Sequence, residues 1–108
     1  APTWEETDWP SIVVLYDRLA DLTDSPAVLV NRAVAVSFAD GPAAARSILT
    51  DLAADPRLAR SHRLAVARAD VEHRLGDVER ARAAYREALA LDPTDPERRL
   101  VERRLADL

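Results

Sequence analysis

The chain's two histidines, His62 and His73, stand eleven residues apart. On one helix that spacing leaves them on roughly the same face but about 16 Å apart along the axis, at 1.5 Å of rise per residue. One metal ion cannot bridge that gap, and the familiar helical zinc pair needs histidines four apart. Both read as surface or groove-edge side chains. With no cysteine there is no thiolate zinc site, disulfide or cysteine nucleophile. The 19 acidic residues are spread among arginines at helical spacings such as Glu79 to Arg82, with no singular pair suited to acid-base work. Two glycines are too few for a phosphate-cradling loop. These residues predict no catalytic centre, no metal site and no cofactor.

The formal charge is −4, and every one of the 15 basic residues is arginine. Nucleic-acid binding draws on many phosphate contacts, so a net-acidic chain without a basic patch is poorly suited to it. Arg98, Arg99, Arg103 and Arg104 near the C-terminus are interleaved with Glu97, Glu102 and Asp107, as on a solvated helix face. No apolar run approaches a membrane span, and APTWEETDWP lacks the regions of a signal peptide. A cytoplasmic setting is expected. The absence of methionine predicts that the 108 residues belong to a longer polypeptide.

The elements that must position these side chains are helices. Alanine (21 residues) and leucine (14) supply most of the apolar content, and both lose little rotamer freedom in a helix. Punctuation divides the chain into one domain over 9–108, after a linker or upstream end at 1–8. Helices are predicted at about 9–22, 27–39, 43–54, 58–75, 78–91 and 95–107, separated by Asp24-Ser25-Pro26, Asp40-Gly41-Pro42, Asp55-Pro56, Gly76-Asp77 and Asp92-Pro93. Ile12, Leu15, Leu19 and Leu22 form the inward stripe expected of the first helix. The second is apolar nearly all round and is expected at the centre.

Internal repetition decides the architecture. Pro26, Pro56 and Pro93 close helices at intervals of 30 and 37, and Gly41 and Gly76 lie 35 apart. These intervals scatter about the 34-residue period of tetratricopeptide (TPR) repeats. Gly76, Ala81, Tyr85, Ala88, Leu89 and Pro93 make the best-formed half-repeat: glycine permits the turn, alanines allow close approach, Tyr85 and Leu89 fill the groove between hairpins, and Pro93 prevents continuation. The fold expected is an all-α, TPR-like right-handed stack of antiparallel helical hairpins, with five or six helices. The preceding helix departs from the usual pattern, with Ala65, Arg68 and Glu72 where an aromatic, an aliphatic and a tyrosine belong.

Three longer strings, TDWPSIVVLYDRL at 7–19, NRAVAV at 31–36 and LAVARADVEHRLGDVERARAAYREALAL at 64–91, carry a more specific signal. They resemble the C-terminal TPR-like extension of bacterial extracytoplasmic-function (ECF) sigma factors. The resemblance implies a protein-interaction domain that controls transcription initiation by docking on its own N-terminal sigma regions or on RNA polymerase. It implies no direct nucleic-acid or membrane contact. Two other readings remain open: a free-standing TPR-like adaptor for an unrelated peptide, and a metabolite sensor with a pocket under Phe38 and His73.

In the TPR register the first helix of each pair lines the concave face, which places Asn31, Ala35 and Phe38 on one helix and Arg63, Val66, Asp70 and His73 on the other. Asn31, Phe38, Arg63, Asp70 and His73 are the expected partner-binding residues. Ala35 and Ala67 stand where a dicarboxylate clamp would need amides. Arg32, charged within the apolar string 27–36, needs an acceptor, and Asp17 and Asp70 are the candidates. It is expected to organise the fold, as are Gly41, Gly76, Tyr85, Leu89 and Pro93.

Overall fold

A computed structural model describes residues 7–108, which form six α-helices and no strand. They are α1 (Trp9–Leu22), α2 (Pro26–Ala39), α3 (Pro42–Ala53), α4 (His62–Arg74), α5 (Val78–Leu89) and α6 (Asp95–Ala106), with a 3-10 turn at Pro56–Leu58. Residues 1–6 of the expected linker lie outside the described residues.

Each helix begins on local chemistry. Asp8 accepts from the Ser11 amide (3.2 Å), Ser61 from Leu64 (3.1 Å) and Asp77 from Arg80 (3.0 Å), so each satisfies a donor that the first helical turn leaves unpaired. Thr94 and Glu97 form a reciprocal capping box at the start of α6. Gly41 (φ 98°) and Gly76 (φ 84°) take left-handed conformations at two of the turns.

Two of the expected boundaries move. The helix expected to open at 58 begins at His62, because Asp55 caps a separate 3-10 turn and Ser61 caps anew. The helix expected to reach 91 stops at Leu89. Ala90 closes it with bonds to the Arg86 and Glu87 carbonyls, and Asp92 then turns the chain at φ 52°.

Successive helices pack on one another as hairpins, and α2 also touches α4, so the pairs stack. One buried cluster joins α2, α3 and α4 through Val30, Ala33, Ala45, Leu49, Leu64, Ala67 and Val71. A second joins α4, α5 and α6 through Ala65, Ala69, Ala81, Tyr85, Ala88 and Val101. The α4 helix is thus the shared wall, with Leu64, Ala67 and Val71 on one side and Ala65 and Ala69 on the other. Four alanines in six members let the second cluster's helices approach closely around the Tyr85 ring. Ala65, one of the departures from the repeat pattern, is one of those four.

Glu72, another departure, replaces an apolar contact by a charged one. It is 8% exposed and takes a two-pronged bond from Arg46 of α3, Nε to Oε1 at 2.6 Å and Nη2 to Oε2 at 2.5 Å. This fork ties one hairpin to the next.

The α1 stripe corrects the expectation from sequence. Leu15, Leu19 and Leu22 are 58%, 37% and 80% exposed, and of the expected stripe only Ile12 is half-buried, together with Val13, Tyr16 and Ala20. The stripe is one part of a broader apolar arc that also takes in Val13, Tyr16 and Ala20, so this helix's own pattern leaves the exact rotation open. The rotation is set by its neighbour: the Trp9 ring stacks on Phe38 of α2 at 4.7 Å, and Asp17 accepts from Arg32. Of the two acceptors considered for Arg32, Asp17 is the one used. Central α2 buries Val30, Ala33, Ala35, Val36 and Ser37.

Candidate functional site

A groove of about 420 Å³ runs between α2, α4 and α6. Its floor is apolar, made by Val34, Val66, Ala67 and Leu100. Helical spacing aligns the α4 side chains: Arg63, Val66, Ala67 and Asp70 fall at intervals of three and four and so share a face.

The two rims differ. On one, the exposed Arg63 guanidinium donates to the Asn31 carboxamide oxygen at 2.7 Å, linking α4 to α2. On the other, Asp70 accepts from the Tyr85 hydroxyl of α5 and from Arg104 Nη1 of α6 at 2.5 Å. Burial, then the bond to this carboxylate, pushes the Tyr85 phenol above its ordinary range, so it stays a neutral donor near neutral pH. At one end His62 contacts the Ala88 carbonyl through Nδ1 at 2.9 Å, and its Nε2 lies 3.9 Å from Glu97. Glu97 is held below the usual carboxylate range, first by the Thr94 amide and hydroxyl of its capping box and then by the charges of His62 and Arg63.

Three of the five residues expected on the partner-binding face, Asn31, Arg63 and Asp70, therefore line one groove. Phe38 and His73 do not. Phe38 is sandwiched at the end of α2, with Trp9 on one side and the Arg74 guanidinium 4.6 Å from its ring centroid. Arg74 also donates to the Ser37 hydroxyl and carbonyl at 3.0 and 2.9 Å, which pins this corner. His73 is exposed near the end of α4. Neither lines the groove. Ala35, expected on the concave face, is 2% exposed. The structural residues sit as follows: Gly41 and Gly76 at turns, Tyr85 and Leu89 in or against the second cluster, and Pro93 in the turn before α6.

His62, read as a surface or groove-edge side chain, does line the groove, whereas Leu100 and Arg104 escaped sequence reasoning as groove residues. Their signal lay in the Thr94–Glu97 box, which fixes where α6 starts and hence that Leu100 and Arg104, four apart, share one of its faces. Treating α6 as a solvated cap concealed it.

Residues 62–108 match the tetratricopeptide repeat family. The fold is TPR-like. The matched segment covers α4, α5 and α6, so this TPR-like unit supplies two of the groove's three walls, and α2 supplies the third from the preceding hairpin. The chain is also 40% identical over 87 residues to an uncharacterized protein, R00370, of Rhizobium meliloti (strain 1021). That match takes in 81% of this chain but spans only 20% of the relative. No solved structure shows significant similarity to the chain. TPR repeats are protein-interaction modules, and the groove has the form such modules use: a concave surface built by stacked hairpins. No helix of the described residues is long and apolar enough to cross a membrane.

Proposed function

We propose that the groove between α2, α4 and α6 holds a protein segment, and that the chain is the regulatory docking domain of an ECF-type sigma factor. In this reading it binds its own sigma regions or RNA polymerase in the cytoplasm and so controls a step of transcription initiation. The observation that carries the docking surface is the pairing of an apolar floor, Val34, Val66 and Leu100, with an exposed hydrogen-bonding rim, Arg63 to Asn31. A partner can bury its own apolar side chains on the floor while its carboxylates or carbonyls compete for Arg63. The sigma assignment rests on the resemblance carried by residues 7–19, 31–36 and 64–91. The R. meliloti relative, of which the match is one-fifth, agrees with a module that works attached to other domains. The reading calls for no cofactor, no catalysis and no promoter contact, in keeping with a charge of −4.

Transcription in vitro with purified polymerase tests it. Removing residues 9–108 from the full sigma factor should change output from its promoter while the N-terminal regions stay folded. Asn31→Ala combined with Arg63→Glu should reproduce part of that change, because both side chains sit on the rim and away from the two cores. Equal transcription with and without the domain would refute the regulatory role. An effect of deletion without any effect of the double variant would move the contact off this groove.

A further inference from the structure

The third departure from the repeat pattern, Arg68, has no role in the groove or the cores. It lies on the opposite side of α4, two residues from both Val66 and Asp70 and hence about 160° around the helix from each. Five arginines are half-buried among the described residues: Arg32, Arg46, Arg68, Arg82 and Arg104. Four of them are paired, with Asp17, Glu72, Glu79 and Asp70 respectively. Arg68 has no hydrogen bond or ion pair with any described residue. A partly desolvated charge left unmatched is costly, and the other half-buried arginines show that this chain normally matches them.

What Arg68 borders is a second cavity, about 290 Å³, between α3, α4 and α5. Leu49 and Val71, 1% and 4% exposed, give it an apolar floor, with Ala84 alongside. Its walls carry Arg46 and Arg80 as well as Arg68, against Glu72 and Glu87. The charges are not equally available. Glu72 is engaged by both prongs of the Arg46 fork, Arg80 leans on Asp77 at 3.4 Å, and Glu87 is exposed. The Arg46 fork uses Nε and Nη2, so its Nη1 is not part of it. Two guanidinium groups, one wholly uncommitted, thus stand over an apolar floor in a space at the small end of ligand pockets.

We propose that this cavity binds a small organic anion, a carboxylate or phosphate carried on a compact apolar body, with Arg68 as its principal anchor. The anionic group supplies the acceptor that Arg68 lacks, and the apolar body covers Leu49 and Val71. Such a ligand would act on the face away from the docking groove and bridge α3 to the α4–α5 hairpin.

Thermal unfolding of the 108-residue chain tests the proposal with four probes at equal ionic strength: benzoate, phenyl phosphate, inorganic phosphate and chloride. A probe present at about ten times its dissociation constant should raise the midpoint by roughly 5 °C. Benzoate or phenyl phosphate should do so and chloride should not. The benzoate and phenyl phosphate arms separate the carboxylate from the phosphate head group, and inorganic phosphate tests the need for the apolar body. Arg68→Leu should abolish the shift without lowering the unliganded midpoint, since it removes an unmatched charge. Arg63→Ala, on the groove face, should keep the shift. Arg68→Gln serves as the second variant should the leucine change impair folding. The proposal is overturned if no organic anion shifts the midpoint beyond chloride, if the shift survives in both Arg68 variants, or if both variants lower the unliganded midpoint as loss of a structural residue would.

Discussion

Tyr85→Ala and Tyr85→Phe separate two contributions that meet at one side chain. The ring is 1% exposed and is the only large side chain among the alanines and Val101 of the second cluster. Cutting it back to a methyl leaves a void among short buried side chains, with only the partly buried leucines packed against the cluster, such as Leu89 and Leu105, to close on it, so the cost should be about 3–5 kcal/mol, as for large-to-small changes in well-packed cores. The phenylalanine variant keeps the ring and removes only the bond to Asp70, which remains paired with Arg104. That loss should be about 1–2 kcal/mol, since the acceptor is charged but keeps one partner. Urea unfolding followed by far-UV circular dichroism measures both, and an unchanged m-value licenses the comparison. A loss below about 1 kcal/mol for Tyr85→Ala would show that the repeat register around α5 is wrong. Equal losses in the two variants would mean that the hydroxyl, and not the ring, holds the site.

Two further outcomes are expected. Glu72 is held below its ordinary 4.5, chiefly by the Arg46 hydrogen bond. A depressed acid stabilises the fold above its unfolded pKa and loses that contribution as pH falls through the folded value. Urea midpoints should therefore hold near neutrality and decline below about pH 4.5, and Glu72→Gln should flatten part of the decline while lowering the neutral-pH value. Gly76 sits at φ 84° with open space where a Cβ would stand, so Gly76→Ala should cost about 1–2 kcal/mol from backbone strain alone, and Gly76→Asn less. Equal stability of the three proteins in thermal melts would contradict the left-handed turn.

How much was legible in the sequence follows from where the information sits. Helix number and most boundaries are local, because proline, glycine and capping side chains act within a few residues of themselves. Asp8, Ser61, Asp77 and Thr94 needed no tertiary context. The α4 side of the groove was legible for the same reason: Arg63, Val66 and Asp70 share a helical face by spacing. The face of α1 was not, because its apolar arc is broad and the exact rotation is set by what Trp9 and Asp17 reach on α2. Phe38 was misplaced by the same partner, Trp9, which lies 29 residues away in the chain. Glu72 looked like a flaw in a repeat until Arg46, 26 residues earlier, supplied its partner.

The two rims of the groove are built to change at different rates. Asp70 is a junction at which α4, α5 and α6 meet, receiving Tyr85 from one and Arg104 from another. Replacing it disturbs a cluster that the fold depends on. Asn31 and Arg63 meet outside both clusters, on an exposed edge, and little else leans on them. Related chains can therefore exchange the residues at 31 and 63 and acquire new partners without reinventing the scaffold, while position 70 stays tied to 85 and 104. For an engineer the asymmetry is a guide: a library that varies 31 and 63 explores recognition, whereas one that varies 70 disturbs the junction that Tyr85 and Arg104 share.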